Sequence, residues 1–362
     1  MSKTYRILVV NPGSTTTKMA LFENEKMVAQ KKVDHPAHQL DKYPNIIDQY
    51  PIRRQVMLDF LKAQSVDPRS IGAVVGRGGM LKALPSGTYK VCQRMVDHLS
   101  QAKFGAHASN IGAILAFGFH WDYGIPAFVV DPPVVDEMTD LARLSGLKEV
   151  PRRSLWHALN ILAVVRQACQ REQLDLKSEN FVAVHLGGGI SVVAIEKGRV
   201  IDVSNGLESG PYTPERAGTL PSIELAKLCF SGKYTEAEVK KLIAGKGGLV
   251  NYLGTSNIPE VERRILQGDD YAAMVFNGMA YQIAKEVGSY AVVLKGRVTR
   301  TIITGGAANS ELLVSRVREY IDHLAPVVVI PGEDELSALA LGGLRALRGE
   351  EAPRDYGVIA DA

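Results

Sequence analysis

The sequence predicts an α/β protein built from two similar halves, and two observations predict it. First, two stretches far apart in the chain share one pattern. RILVVNPGSTTTKMALFENEKMVAQKKVD begins at Arg6, and NFVAVHLGGGISVVAIEKGRVIDVS begins at Asn180. Each runs through a β-branched segment, a polar residue (Asn11 or His185), a turn rich in glycine or hydroxyls, an apolar segment, a charged turn and a third segment. That is the signature of a β-meander. Second, each meander is followed by helical patterns and short apolar strands, including AVVG, FVVD, TIITGG and PVVVIPG. Strands alternating with helices specify an α/β architecture, and 362 residues suffice for two cores.

Taken in order, the first turn, VVNPGSTTTK, resembles a nucleotide P-loop without being one. That motif needs a glycine directly before its lysine and a helix directly after it. Here Lys18 follows Thr17, and MALFENEKMVAQKKV reads as strand, turn, strand. The apolar spacing of IDQYPIRRQVMLDFLKAQ, ASNIGAILAFGFHWDY, SLWHALNILAVVRQACQRE and YAAMVFNGMAYQIAKEVGSYAVVLKG predicts helices. Met274 and Met279 read most simply as core or interface residues. LKEVPRR (Leu147–Arg153) marks the domain switch, which places one domain at 1–150 and a second at 151–335. A final helix, within about 336–362, returns to the first.

Composition narrows the function. The chain is 46% hydrophobic and 22% charged, with a net charge of +3 and no basic block. Neither nucleic acid nor an anionic membrane is an expected partner. RILVV is too short for a signal sequence, and no apolar run approaches the ~20 residues of a membrane helix. Cys92, Cys169 and Cys229 are too scattered for a disulfide framework or a zinc site. A cytoplasmic protein is expected.

Two α/β halves opening on such hairpins, with a nucleotide between them, are the plan of the actin, sugar-kinase and Hsp70 superfamily. The fold expected is therefore two actin-like (ribonuclease H-like) domains from an internal duplication. In that plan the turns at Gly13, Ser14 and Thr15 (with Lys18) and at Gly187, Gly188 and Gly189 direct amides to phosphate. The strand and Gly pair of ITGGAANS (Gly305, Gly306, Ala307, Asn309) suits the adenosine end of ATP. Phosphoryl transfer also needs positive charge, a metal and a positioned acceptor. Candidates beside turns and strand ends are Arg77 in GRGG, Asp131 in FVVDPP, His157 in RRSLWH, His185 in HLGGG, Glu215 and Arg216 in PERAG, and Glu333, Asp334 and Glu335 in PGEDEL. Each has a plainer alternative. Arg77 could be a surface arginine, Asp131 a turn residue, His157 a core histidine, and the acidic run an ordinary helix start.

Read together, these motifs resemble the acetate kinase family, and within it the butyrate kinase branch. NPGSTTTK is similar to the family's NPGS/NAGS signature, GRGG to HRVVHGG, FVVDPP to FDTAFH, RRSLWH to RRYGFH and HLGGG to HLGNG. ERAG is similar to TRSG, TGGAANS to TGGIGEN, and PGEDEL to PTNEEL. The likeness runs from about Ile7 to Leu347. It departs where the second histidine of the family's HGTSH is replaced in the region of Asn160 and Ile161, and where Gly78 and Gly79 follow Arg77 in place of two valines. The resemblance implies transfer from ATP, with Mg²⁺, to a small carboxylate: butanoate + ATP = butanoyl phosphate + ADP. Branched or other short acids are alternatives, and a sugar kinase or a nucleotide switch is a remoter one. It further implies that Arg77, Asp131, His157, His185 and Arg216 serve catalysis. Asn11, Asp131, Asp334 and Glu335 would serve the metal, and the Gly-rich residues and Asn11 the nucleotide. Gly79, lacking a side chain, and the wide Trp156 would shape a pocket for a longer acyl chain. A homo-oligomer is expected on the same ground.

Overall fold

The structure, a computed structural model, describes residues 3–43 and 45–361. By its contacts the chain divides into two compact units: Met1–Asp136 with Asp334–Ala362, and Glu137–Glu333. The described strands are β1 (Arg6–Pro12), β2 (Thr16–Glu23), β3 (Lys26–Asp34), β4 (Ala73–Gly76), β5 (Thr88–Lys90), β6 (Ala127–Val130), β7 (Asn180–Leu186), β8 (Ile190–Glu196), β9 (Arg199–Val203), β10 (Arg300–Gly305), β11 (Val327–Pro331) and β12 (Arg354–Asp355).

The duplication predicted from the meanders is present in the topology. The first sheet has the order β12-β5-β6-β4-β1-β2-β3, and the second β11-β10-β7-β8-β9. Five strands correspond one to one. β1, β2 and β3 form an antiparallel meander, as do β7, β8 and β9. β4 and β6 add in parallel beyond β1, as β10 and β11 add beyond β7. Even the register irregularity recurs, between Leu21 and Phe22 in one and between Ala194 and Ile195 in the other. The opening stretch is therefore strand, turn, strand, as its sequence required.

Burial follows strand position. Ile7–Val10 and Ala73–Val75 are fully buried, as expected of parallel strands covered on both faces. At the sheet edge β3 carries Lys26, Lys31 and Lys32, charges that discourage pairing with another chain. In the second unit the helix Asp270–Val293 packs Ala272, Val275, Phe276, Met279, Ala280, Ile283 and Val287 into the core, an i, i+3, i+4, i+7 stripe. Met279 is thus core, whereas Met274 is 61% exposed. Among the described residues no helix is long and apolar enough to cross a membrane.

Two sequence readings shift on inspection. The helix read from SLWHALNILAVV starts only at Ala158, so Trp156 and His157 precede it. The contact boundary falls at Asp136/Glu137, ahead of Leu147–Arg153. The reason is local: the Glu137 carboxylate accepts the Val200 N–H (3.0 Å), its carbonyl accepts Arg199 Nε (3.1 Å), and Thr139 N–H donates to the Ile201 carbonyl (3.0 Å).

The end of β4 is set by backbone contact. A Cβ on Gly76 would overlap the carbonyl of Gly112, in the helix Asn110–Tyr123, and one on Gly112 would lie 2.5 Å from the Arg77 carbonyl. The helix therefore rests directly on the strand end that carries Arg77. Gly76→Ala and Gly112→Ala are each expected to lower stability by about 1–3 kcal/mol through overpacking. Urea titration followed by circular dichroism measures this, and unchanged midpoints would contradict it.

Candidate active site

The first unit brings three of the predicted residues together, Asn11 and Arg77 meeting the Glu335 carboxylate. Arg77 follows β4, its amide bonded to the Val10 carbonyl of β1 (2.9 Å). Asn11 ends β1, and Glu335 opens the helix Glu335–Arg348. Glu335 bridges them: Oε2 accepts from Asn11 Nδ2 at 2.5 Å, and Oε1 lies 3.2 Å from Arg77 Nη2. Arg77 Nη1 is buried and has no hydrogen-bond partner among the described residues. A buried cation donor left open in this way favours an anionic ligand. Asp334 is exposed and caps that helix through Ser337 N–H (3.0 Å), so of the two only Glu335 reaches the Asn11–Arg77 pair.

Asp131 is placed differently from its predicted partners. It is fully buried, adopts a left-handed backbone (φ 38°), and accepts the Gly87 N–H at 2.7 Å while donating its own to the Gly87 carbonyl at 3.0 Å. A non-glycine residue held there stores strain, which is common beside functional sites. The pocket argument for Gly79 is corrected. A Cβ there would sit 2.6 Å from Asn110 Cα and 2.9 Å from its amide, so Asn110 already fills the space. Glycine is required for that packing and opens no extra room. Trp156, 3% exposed, is buried in the second unit.

No group of three or more His, Cys, Asp or Glu among the described residues is disposed to hold a metal. Mg²⁺ seldom asks for one, since it keeps waters and phosphate oxygens and takes one or two carboxylates. The Glu335 carboxylate beside the Asn11 amide fits that limited demand.

In the second unit the two histidines lie face to face. The His157 and His185 rings stack at 3.9 Å with an 8° interplanar angle, and His157 Nδ1 meets Ser191 Oγ at 2.9 Å. His185, 1% exposed on β7, receives Asn160 Nδ2 at its Nδ1 (2.9 Å) and faces Glu333 Oε1 with Nε2 (3.1 Å). That pattern corresponds to a neutral ring carrying its proton on Nε2. The bond from His185 is the main cause that holds the Glu333 carboxyl down at about 2, with the Gly306 amide a smaller contributor. Asn160, which also contacts Thr304 Oγ1 (3.3 Å), is a residue that sequence reasoning noted only as an absent histidine.

Arg216 packs its guanidinium on Gly189, where a Cβ would collide with it, and donates through Nη1 to the Gly206 carbonyl. Among the described residues it forms no ion pair with a carboxylate, and burial lowers its pKa. Glu215 is exposed beside Gly188, whose carbonyl accepts from Thr213 Oγ1 (2.6 Å). Gly305 (φ 95°) lies where a Cβ would strike the Leu186 backbone, so β10 and the end of β7 meet closely. Beyond it Gly306 is exposed, Ala307 half-buried, and Asn309 is tied to the Gly306 carbonyl (2.8 Å). Gly13, Ser14, Thr15 and Lys18 stand on the first turn and the start of β2, with Ser14, Thr15 and Lys18 exposed.

Glu333 gives a pH signature. Its folded pKa lies below the ordinary 4.5, so its contribution to stability is full above about 4.5 and fades as pH falls toward about 2. Denaturation of wild type and Glu333→Gln from pH 7 to pH 3 should show a gap that narrows below about pH 4.5. A gap independent of pH would contradict the His185 contact.

The chain is similar along its length to known proteins. The Acetokinase family profile matches residues 152–330. Butyrate kinase 2 of Clostridium acetobutylicum is 46% identical over 353 residues, 97% of this chain and 99% of that protein. Acetate kinase of Porphyromonas gingivalis superposes with a TM-score of 0.75 at 21% identity, covering 93% of this chain and 98% of that one. Propionate kinase of Francisella tularensis subsp. tularensis superposes at 0.73 with 17% identity and the same coverage. Those two structures speak for the fold, which is that of two actin-like domains. With a butyrate kinase matched across nearly its whole length, the chain belongs to the acetokinase family.

Proposed function

We propose that this chain transfers the γ-phosphoryl group of ATP, with Mg²⁺, to butanoate, forming butanoyl phosphate and ADP reversibly. It is a kinase of short-chain carboxylates, as its family and its butyrate kinase relative indicate. The observation that carries the reading is Arg77: a buried guanidinium with one nitrogen left open, directly beside Asn11 and Glu335.

The chemistry demands such a group. A carboxylate acceptor is already ionised at neutral pH and needs no general base. The obstacle is repulsion between the acceptor and the phosphoryl group, which fixed positive charge and alignment relieve. In this reading Arg77 and Arg216 hold the two anions, His157 donates to an equatorial phosphoryl oxygen, and His185 holds phosphate once its Nε2–H exchanges the Glu333 carboxylate for a phosphate oxygen. Mg²⁺, when bound, offsets charge on the β- and γ-phosphates. Asn11 and Glu335 are the residues assigned to it, with Asp131 bracing the strand end and Asp334 the helix start.

The turns Gly13–Thr15 and Gly187–Gly189 contact phosphates, with Lys18 nearby, and Gly305, Gly306, Ala307 and Asn309 border adenosine. Residues 1–150 with 336–362 form one functional domain and 151–335 the other. With Gly79 filled by Asn110, Trp156 remains the residue assigned to the acyl pocket. One methylene there is worth roughly 1–3 kcal/mol, so propionate, isobutyrate and valerate should also be used. The reading includes a cytoplasmic homo-oligomer, which the exposed Met274, Tyr281 and Val292 along one helix support.

An ATP-dependent hydroxylamine trap tests the reaction. Acetate, propionate, butyrate, isobutyrate and glycerol are compared with and without Mg²⁺. The expected result is a Mg²⁺-dependent hydroxamate strongest with the four-carbon acids; a strongest signal from acetate would overturn the butanoate assignment. Arg77→Ala and Arg216→Ala should each lower kcat about 100-fold or more. Wild-type kcat in either variant would remove that arginine from the mechanism.

A further inference from the structure

One buried cation in the first unit takes no part in the mechanism above. Arg53 is fully buried, on the helix Tyr50–Ala63, beneath the Gly13–Thr16 turn. Its Nη1 donates to the Thr16 carbonyl (2.6 Å) and Thr17 Oγ1 (2.9 Å). Its Nη2 reaches the carbonyls of Gly13 (2.9 Å) and Ser14 (3.0 Å) and Gln49 Oε1 (2.8 Å). Nε also donates to Gln49 Oε1, at 3.0 Å. Every acceptor is neutral, and no carboxylate pairs with this charge among the described residues. Burying a cation without a counter-charge is costly, and an apolar residue would fill the site more simply.

The consequence lies in the direction of the turn's peptide groups. Arg53 takes the carbonyls of Gly13, Ser14 and Thr16, and the His35 N–H takes that of Thr15 (2.8 Å). All four carbonyls are therefore bound within the protein. The N–H groups of Ser14 and Thr15 donate to no acceptor among the described residues, and both residues are exposed. Successive free amides with adjacent hydroxyls form an anion-binding concavity.

We infer that Arg53 is the positioning residue of this phosphate turn: it fixes the carbonyls so that the amides of Ser14 and Thr15 face the ligand, and its unneutralised charge strengthens their hold on nucleotide phosphate. The inference rests on the reading of Gly13–Thr15 as a phosphate site.

Gln49→Glu tests the charge while keeping the guanidinium. It changes the acceptor of Nε and Nη2 into a carboxylate with little change in shape. It does so at the N-cap of the helix Tyr50–Ala63, where a negative charge is favoured. Calorimetric titration with ADP and with adenosine separates phosphate binding from adenosine binding. Gln49→Glu is expected to weaken ADP on the order of tenfold and leave adenosine unchanged. Arg53→Lys, which cannot span three carbonyls, should weaken ADP at least as much, again sparing adenosine.

In the wild-type protein, ADP but not adenosine should slow hydrogen exchange at Ser14 and Thr15. This reading holds even should a variant fail to fold. Wild-type ADP affinity in folded Gln49→Glu and Arg53→Lys, equal losses for both ligands, or unprotected turn amides would each overturn the inference. Absence of acyl hydroxamate alongside the expected ADP response would sink the proposed reaction and leave the role of Arg53 standing.

Discussion

Backbone must touch backbone at the ends of the inner parallel strands, and the rest of the arrangement depends on that constraint. β4 ends at Gly76 against Gly112, and its structural counterpart β10 ends at Gly305 against Leu186. A side chain at either place would push the neighbouring element away. In one unit this contact sets the carbonyl and amide of Arg77 beside a helix. In the other it brings Gly306 and its turn to the end of β7, where His185 stands. The duplication thus repeats a mechanical device as well as a strand order, and each copy presents different side chains at the same structural point.

Arginines that are not fully paired form the second common thread. Among the described residues Arg53 bonds only neutral acceptors, Arg77 keeps one nitrogen open beside its ion pair with Glu335, and Arg216 binds a backbone carbonyl. Fully paired arginines would support folding equally well and leave little potential for an anion. A reaction that brings one anion against another needs that potential in place beforehand, because reorganising dipoles at the moment of transfer would add to the barrier. The histidines are arranged in the same spirit. Stacking on His157 and the bond from Asn160 orient His185 so that its one proton points outward, toward Glu333.

Much of this was legible in the chain. Meander periodicity, apolar strands and helical spacing each report burial, and burial is a local property of sequence pattern. Arg53 left a signal as well: it lies on the buried stripe of its helix with Met57, Phe60 and Leu61, where a cation is out of place. Asn160 left a weaker one, since an asparagine in an apolar helix matters only once its partner is known. Gly79 was misread because a missing side chain says nothing about whether a neighbour has taken the space.

The sequence by itself determined the two-fold α/β plan, the hairpin nature of the first turn and the residue types a phosphoryl transfer would need. These follow from periodicity and turn chemistry, which act over a few residues. Only the tertiary structure decided which carboxylate meets Arg77, which amide orients His185, and that Asn110 fills the place beside Gly79. Those outcomes join residues 25 to more than 300 positions apart. Long-range contacts are chosen by the packing of the whole unit, and no local pattern encodes them.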